Sequence, residues 1–174
     1  MRVITAPDRS KFSGSDISVF LAGGISMCPD WQSKVIDILS KMPDTDALTL
    51  YNPRRKSFSV NDSLMTYIQI GWEFLNLEHC DIFSMYFCNS ESVQPICFYE
   101  LGRNMLYKEI QHGPYISDHV IVSVEDGFKR AQDVTTQISF AFPGLKNKIL
   151  NLDATPESHA KVIYELYRKE LSKL

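Results

Sequence analysis

The sequence predicts an α/β domain: a doubly wound parallel sheet of about five strands with helices on both faces. Three observations lead there. β-rich runs alternate with amphipathic helical stretches from residue 16 to the end of the chain. Two of those runs, Ile82–Phe87 (IFSMYF) and His119–Val124 (HVIVSV), are apolar almost throughout, as strands covered on both faces are. A third run, Asp16–Ile25 (DISVFLAGGI), stops at two glycines just before a helix start. Paired glycines there let the backbone turn with positive φ or approach a ligand closely, although they also serve in ordinary turns.

Each element follows from local signals. The 174 residues suit one domain, with residues 1–16 as a loose lead-in containing Pro7 and Gly14. After the first strand, Asp30 is placed to cap a helix running to about Lys41, with Trp31, Val35, Ile38 and Leu39 facing inward. Pro43 and Asp44 break it, and Ala47–Tyr51 reads as the second strand. Asn52-Pro53-Arg54-Arg55 follows directly, putting two guanidinium groups at the carboxyl end of a strand, where such sheets bind ligands. They suit a phosphate or carboxylate contact, or equally structural ion pairs. Asn61 or Asp62 caps the next helix, which runs to about Glu78 with Leu64, Ile68, Trp72 and Leu75 at near-helical spacing. On that stripe Trp72 reads as core rather than as a stacking platform.

Asp81 then opens the third strand, which leads into the polar turn Asn89-Ser90-Glu91-Ser92 and a helix from about Phe98 to Ile110. Gly113-Pro114 ends that helix, and His119–Val124 forms the fourth strand. Gly127 marks a turn before a helix over 128–140, stopped by Pro143-Gly144. Lys148–Leu152 is a short fifth strand. Thr155 and Pro156 open a C-terminal helix over 156–173, with Val162, Ile163, Leu166, Tyr167 and Leu171 inward.

Composition excludes several classes. The net charge is −3 and the longest basic run is Arg54-Arg55-Lys56, so a nucleic-acid backbone is not the expected partner. No apolar run reaches the roughly 18–20 residues of a membrane span, and residues 1–18 lack the apolar core of a signal peptide, which predicts a cytoplasmic protein without membrane contact. The cysteines at 28, 80, 88 and 97 form no C-x-x-C pair, and the histidines at 79, 112, 119 and 159 show no ligand spacing. Reduced thiols, no metal and no cofactor are the expectation.

The stretch from Cys80 to Arg103 carries the chemistry. A strand, a loop and a helix start make the crevice of an open α/β sheet, with one carboxylate at the strand entrance, Asp81, and one at the helix start, Glu100. In a first helical turn Glu100 would be held ionised by the macrodipole, by about 0.3–1 kcal/mol at exposed sites. Two acids in one cleft divide nucleophile and proton-handling roles when their environments separate their pKa values. From spacing alone, Glu100 also fits a simple dipole-satisfying residue, and Asp81 a turn residue.

Taken together, VFLAGGI, DWQ, LYNPRR, QIGWE, L-x-x-C-D-I and PICFYELG resemble the nucleoside 2-deoxyribosyltransferase superfamily, most of all its short nucleoside 2-deoxyribosyltransferase-like branch. These blocks fall in order over residues 17–134. The resemblance implies a flavodoxin-like domain that cleaves or exchanges N-glycosidic bonds, with a small nucleoside or nucleotide as substrate. It implies Glu100 as the nucleophile on the anomeric carbon and Asp81 as the acid assisting the leaving base. Ala22, Gly23, Gly24 and Ile25 match the loop lining the base and sugar pocket. Asp30, Trp31, Asn52, Arg54, Trp72 and Glu73 match blocks of the short branch, with Arg54 the choice for a phosphate or pocket contact. Asn89 and Gln94, in the loop before Glu100, complete the implied substrate contacts. A homo-oligomer whose pockets are finished by a neighbouring subunit is implied too. Three departures stand out: residues 92–98 hold no glycine, Gln94 stands where distant transferases carry a second Asp, and Cys80-Asp81 replaces the commoner Ala-Asp. The expected activity is transfer of a deoxyribosyl group to another base; hydrolysis of a nucleoside 5′-monophosphate and non-catalytic nucleotide binding are the alternatives.

Overall fold

The computed structural model describes residues 1–8, 16–55 and 62–174. Gly14 of the expected lead-in, and Asn61 and Lys56, lie outside them. Six parallel strands form one sheet in the order β1-β3-β2-β4-β5-β6: β1 (Arg2–Thr5), β2 (Ile17–Gly23), β3 (Leu48–Asn52), β4 (Ile82–Phe87), β5 (Val120–Val124) and β6 (Leu150–Leu152). The helices are α1 (Trp31–Ser40), α2 (Ser63–His79), α3 (Pro95–His112), α4 (Ala131–Ala141), the single turn α5 (Lys146–Ile149) and α6 (Pro156–Leu171).

The α/β class is as predicted, with one strand more than expected. Arg2–Thr5, expected as lead-in, pairs with β3 from Arg2 opposite Thr49 to Thr5 opposite Asn52. As an edge strand it leaves Arg2 and Val3 exposed and sends only Ile4 and, just after it, Ala6 into the core. Arg2 is fixed instead by Asp16 at 2.8 Å and Thr49 Oγ1 at 3.2 Å. A strand with so little buried surface has no hydrophobic pattern to detect.

Period-two alternation sorts the helices. Phe20, Ala22, Phe83, Met85 and Phe87 point to the side of α2, α3, α4 and α5, whereas Val19, Leu21, Ile82 and Tyr86 point to α1 and α6. Asp30 caps α1 by accepting from Ser33 N at 3.1 Å, and Asp62 caps α2 by accepting from Leu64 N and Met65 N. Thr155 and Ser158 exchange reciprocal bonds at the start of α6. The chain starts at the edge strand β1, passes to β2, returns to β3 between the two, and then crosses β2 to β4, β5 and β6. The switch point lies between β2 and β4, and their carboxyl ends open the crevice. Among the described residues, no helix is long and apolar enough to cross a membrane.

Candidate active site

The loop after β2 is braced from below. Gly23 sits at φ +148°, and a Cβ there would collide with the Tyr86 carbonyl oxygen, so no other residue fits. At Gly24 a Cβ would run into Cys28 Sγ and Gln94 Oε1. Trp31 stacks on Tyr86 at 4.8 Å and donates its indole N–H to the Gly24 carbonyl at 3.1 Å. Arg54 completes the brace: its guanidinium reaches the carbonyls of Gly24, Ile25, Cys28 and Pro29, Gln32 Oε1 at 2.8 Å and Asp30 Oδ1 at 3.3 Å. Asn52 Oδ1 accepts from the Arg54 backbone N–H at 3.0 Å. Arg54 thus spends its guanidinium on the first loop, as in the structural alternative to the expected phosphate or pocket contact.

The start of α3 departs from expectation. The helix begins at Pro95, after Gln94 in the left-handed region at φ 51°. Gln94 is buried, its Nε2 donating to the Cys88 carbonyl at 2.7 Å. Pro95 supplies the fixed φ of a first helical residue. Glu100 is thus the sixth residue of α3, beyond the first turn in which the macrodipole acts. Burial dominates instead. Together with the nearby Glu73 carboxylate it pushes the Glu100 carboxyl up to about 8, while Arg103 acts in the opposite direction.

Between α2 and α3, under the β3–α2 junction, lies a cavity of about 460 Å³. Glu73 and Glu100 line it from facing helices, with Ile25, Pro53 and Arg55 at the sheet edge and Ile70, Phe74 and Tyr99 at the mouth. Burial also raises the Glu73 carboxyl, against the lowering effect of a hydrogen bond from Gln69 and the charge of Arg55. Gln69 Nε2 donates to Glu73 Oε1 at 2.6 Å and to the Pro53 carbonyl at 2.9 Å. Arg103 lies 3.8 Å over the Phe74 ring and reaches Glu78 Oε2 at 3.4 Å.

Asp81 is elsewhere. It precedes β4, at the amino edge of the sheet, and its Oδ2 accepts from Ser18 N at 2.7 Å and Ser18 Oγ at 2.6 Å. The six residues of β4, at about 3.3 Å each, hold it roughly 20 Å from the carboxyl-edge crevice. The expected Asp81–Glu100 pair does not form; Glu73 faces Glu100 in its place. Trp72 packs on Phe20 and Tyr51 and donates to the Asp8 carbonyl at 2.8 Å, a core residue as its stripe predicts and not a cavity wall. Asn89 turns to the β5 side, its backbone N–H donating to Glu125 Oε2 at 2.6 Å. Ala22, Gly23, Gly24, Asp30, Trp31, Asn52, Asn89 and Gln94 all stand around the crevice without lining this cavity; of the first loop, Ile25 and Ser26 do.

Residues 16–109 match the protein family described as nucleoside 2-deoxyribosyltransferase like, more than half of the chain. The chain belongs to this family. No curated protein matches it. The family match begins at β2 and ends within α3, so it contains both cavity helices and both carboxylates, while β5, β6 and α6 lie beyond it. Gln69, Arg103 and Asn104 line the cavity from outside the set of expected site residues: Gln69 opens the QIGWE block, and Arg103 and Asn104 follow the YELG block. What marks them is polar spacing on the two family helices: Gln69 one turn before Glu73, and Arg103 and Asn104 one turn after Glu100.

Proposed function

We propose that this protein cleaves the N-glycosidic bond of a (deoxy)nucleoside or nucleotide and transfers the deoxyribosyl group to another base. The observation that carries the reading is the meeting of Glu73 and Glu100 in one cavity at the sheet's carboxyl edge, within a nucleoside 2-deoxyribosyltransferase-like chain. The raised Glu100 pKa means that the pair holds a proton near neutral pH. As substrate binds, that proton moves to Glu73, leaving Glu100 ionised. A Glu100 carboxylate oxygen attacks the anomeric carbon, the C–N bond breaks, and its electron pair leaves on the base, which takes the proton from Glu73. A second base, deprotonated by Glu73, then displaces Glu100 from the glycosyl ester, and two inversions give net retention.

The acceptor depends on what covers the mouth. Ile70, Phe74 and Tyr99 line the cavity yet are 59%, 47% and 68% exposed, and Tyr67 and Ile96 extend the same apolar face. An open mouth favours water as acceptor, hence an N-glycosidase; a covered one favours transfer. A second copy of the chain on this face is our proposed cover, and Arg55, which lines the cavity, is the cation placed for a 5′-phosphate.

The test is incubation with a panel of nucleosides and 5′-monophosphates, with and without a second free base, followed by chromatography, beside Glu100→Ala. Exchange requiring both the second base and Glu100 supports the transferase; base release without exchange supports the hydrolase. Silence across the panel with intact ligand binding overturns both in favour of a nucleotide-binding module.

A further inference from the structure

Gln69 is the residue through which the acid pair is tied to the sheet. It sits one helical turn before Glu73 on α2 and is 8% exposed. One nitrogen serves two acceptors, the Pro53 carbonyl at 2.9 Å and Glu73 Oε1 at 2.6 Å. Turned the other way, the amide would set its oxygen against the Pro53 carbonyl oxygen and against the Glu73 carboxylate, a double repulsion that the present orientation avoids. Pro53 follows β3 directly and precedes Arg54, the residue that braces the first loop. A continuous chain of contacts thus runs from the β2 loop, through Arg54 and Pro53, to Gln69 and the carboxylate of Glu73.

We infer that Gln69 is a positioning residue: it aims Glu73 into the cavity and, by donating to it, holds it as the proton-accepting member of the pair. The inference rests on the reading of Glu73 and Glu100 as the working acids. The charged groups that line the cavity with Glu73 are Glu100 and Arg103 on α3 and Arg55 on the β3–α2 junction, Arg55 acting on Glu73 and Arg103 on Glu100. None of them is an N–H donor fixed on the helix of Glu73 itself. Donation from an uncharged amide stabilises the carboxylate without adding a cation that would compete for Glu100.

The test uses Gln69→Met, close in volume and without a donor. In carboxyl-carbon NMR titrations, assigned with Glu73→Gln and Glu100→Gln, the Glu73 midpoint should rise by about one pH unit. Any turnover should fall roughly ten- to a hundredfold in kcat with KM nearly unchanged, and its acid limb should move up with Glu73. A role confined to folding predicts lower stability with an unmoved midpoint, which would overturn the inference. Should Gln69→Met not fold, the wild-type side-chain amide gives the answer. Its proton signals should follow the Glu73 titration and stop doing so in Glu73→Gln; signals indifferent to pH overturn the proposal. Because both titrations are read without substrate, a silent substrate panel refutes the enzymatic reading while leaving Gln69 tested by itself.

Discussion

His159 and Glu100 both lie far from their ordinary pKa, and of the two only the region around Glu100 has the makings of a site. On the α1–α6 side of the sheet, His159 is wholly buried, and burial drives its pKa down to about 3. Its Nε2 lies 2.7 Å from Ser84 Oγ and its Nδ1 2.6 Å from Ser123 Oγ, and Asn151 supports Ser123 at 3.0 Å. Every polar atom of that ring has a partner, Trp31 and Tyr86 pack around it, and it does not line the cavity between α2 and α3. On the other side Glu100 is displaced upward beside a second carboxylate, at the wall of an open cavity. A Ser–His contact sealed in a core is a structural joint. A perturbed group indicates chemistry when space and a second titrating group accompany it.

The comparison breaks most sharply on function. Glu100→Ala should lower turnover by more than about a thousandfold, while a change at His159 should leave the chemistry of surviving folded protein largely intact. Stability should show the reverse. His159→Ala leaves a cavity and strips two buried hydroxyls of their partner, for an expected loss of about 3 kcal/mol by urea unfolding. The pH dependences have opposite signs. His159 is harder to protonate folded than unfolded, so its stabilising contribution is complete above its ordinary 6.5 and fades as pH falls toward about 3. Glu100 is harder to ionise folded than unfolded, so stability is highest below its ordinary 4.5 and falls as pH rises to about 8. Thermal melts from pH 4 to 9 should therefore lose their alkaline decline in Glu100→Gln.

Within the site, the comparison sharpens on Glu73. Glu73→Gln removes the like charge that helps to raise Glu100, so the Glu100 midpoint should fall below about 8. Turnover should drop roughly a hundredfold through loss of the proton carrier, most for bases that leave poorly. An unmoved Glu100 midpoint in carboxyl-carbon NMR would show that burial alone sets it.

The parallel α/β class, the helices on both faces and the position of the crevice were legible in the sequence because each rests on periodicity or on a short signal such as Gly23-Gly24. β1 was not, since an edge strand burying little more than Ile4 has no pattern. Glu100 was legible as a residue, but its environment was not: Gln94 in a left-handed conformation starts α3 a turn early and removes the carboxylate from the dipole's reach. The partner acid was misplaced for a geometric reason. Asp81 and Glu100 are neighbours along the chain, but β4 separates them by its whole length, whereas Glu73 reaches Glu100 across two helices that no local rule brings together.

Adjacent residues of identical type give the finest comparison. Arg54 and Arg55 both follow β3, yet the first spends its donors on loop carbonyls and the second lines the cavity beside Glu73. Arg54→Ala should cost about 1–3 kcal/mol of stability, because buried carbonyls lose a charged donor, and should impair every substrate alike. Arg55→Ala should leave the melting temperature within a few degrees and raise KM about tenfold for 5′-monophosphates relative to the parent nucleosides. The decisive quantity is that ratio. If it moves with Arg54 and not with Arg55, the loop brace is also the phosphate contact and the cavity between α2 and α3 holds the sugar in another orientation. If neither arginine moves it, the substrate carries no phosphate at this end of the cavity.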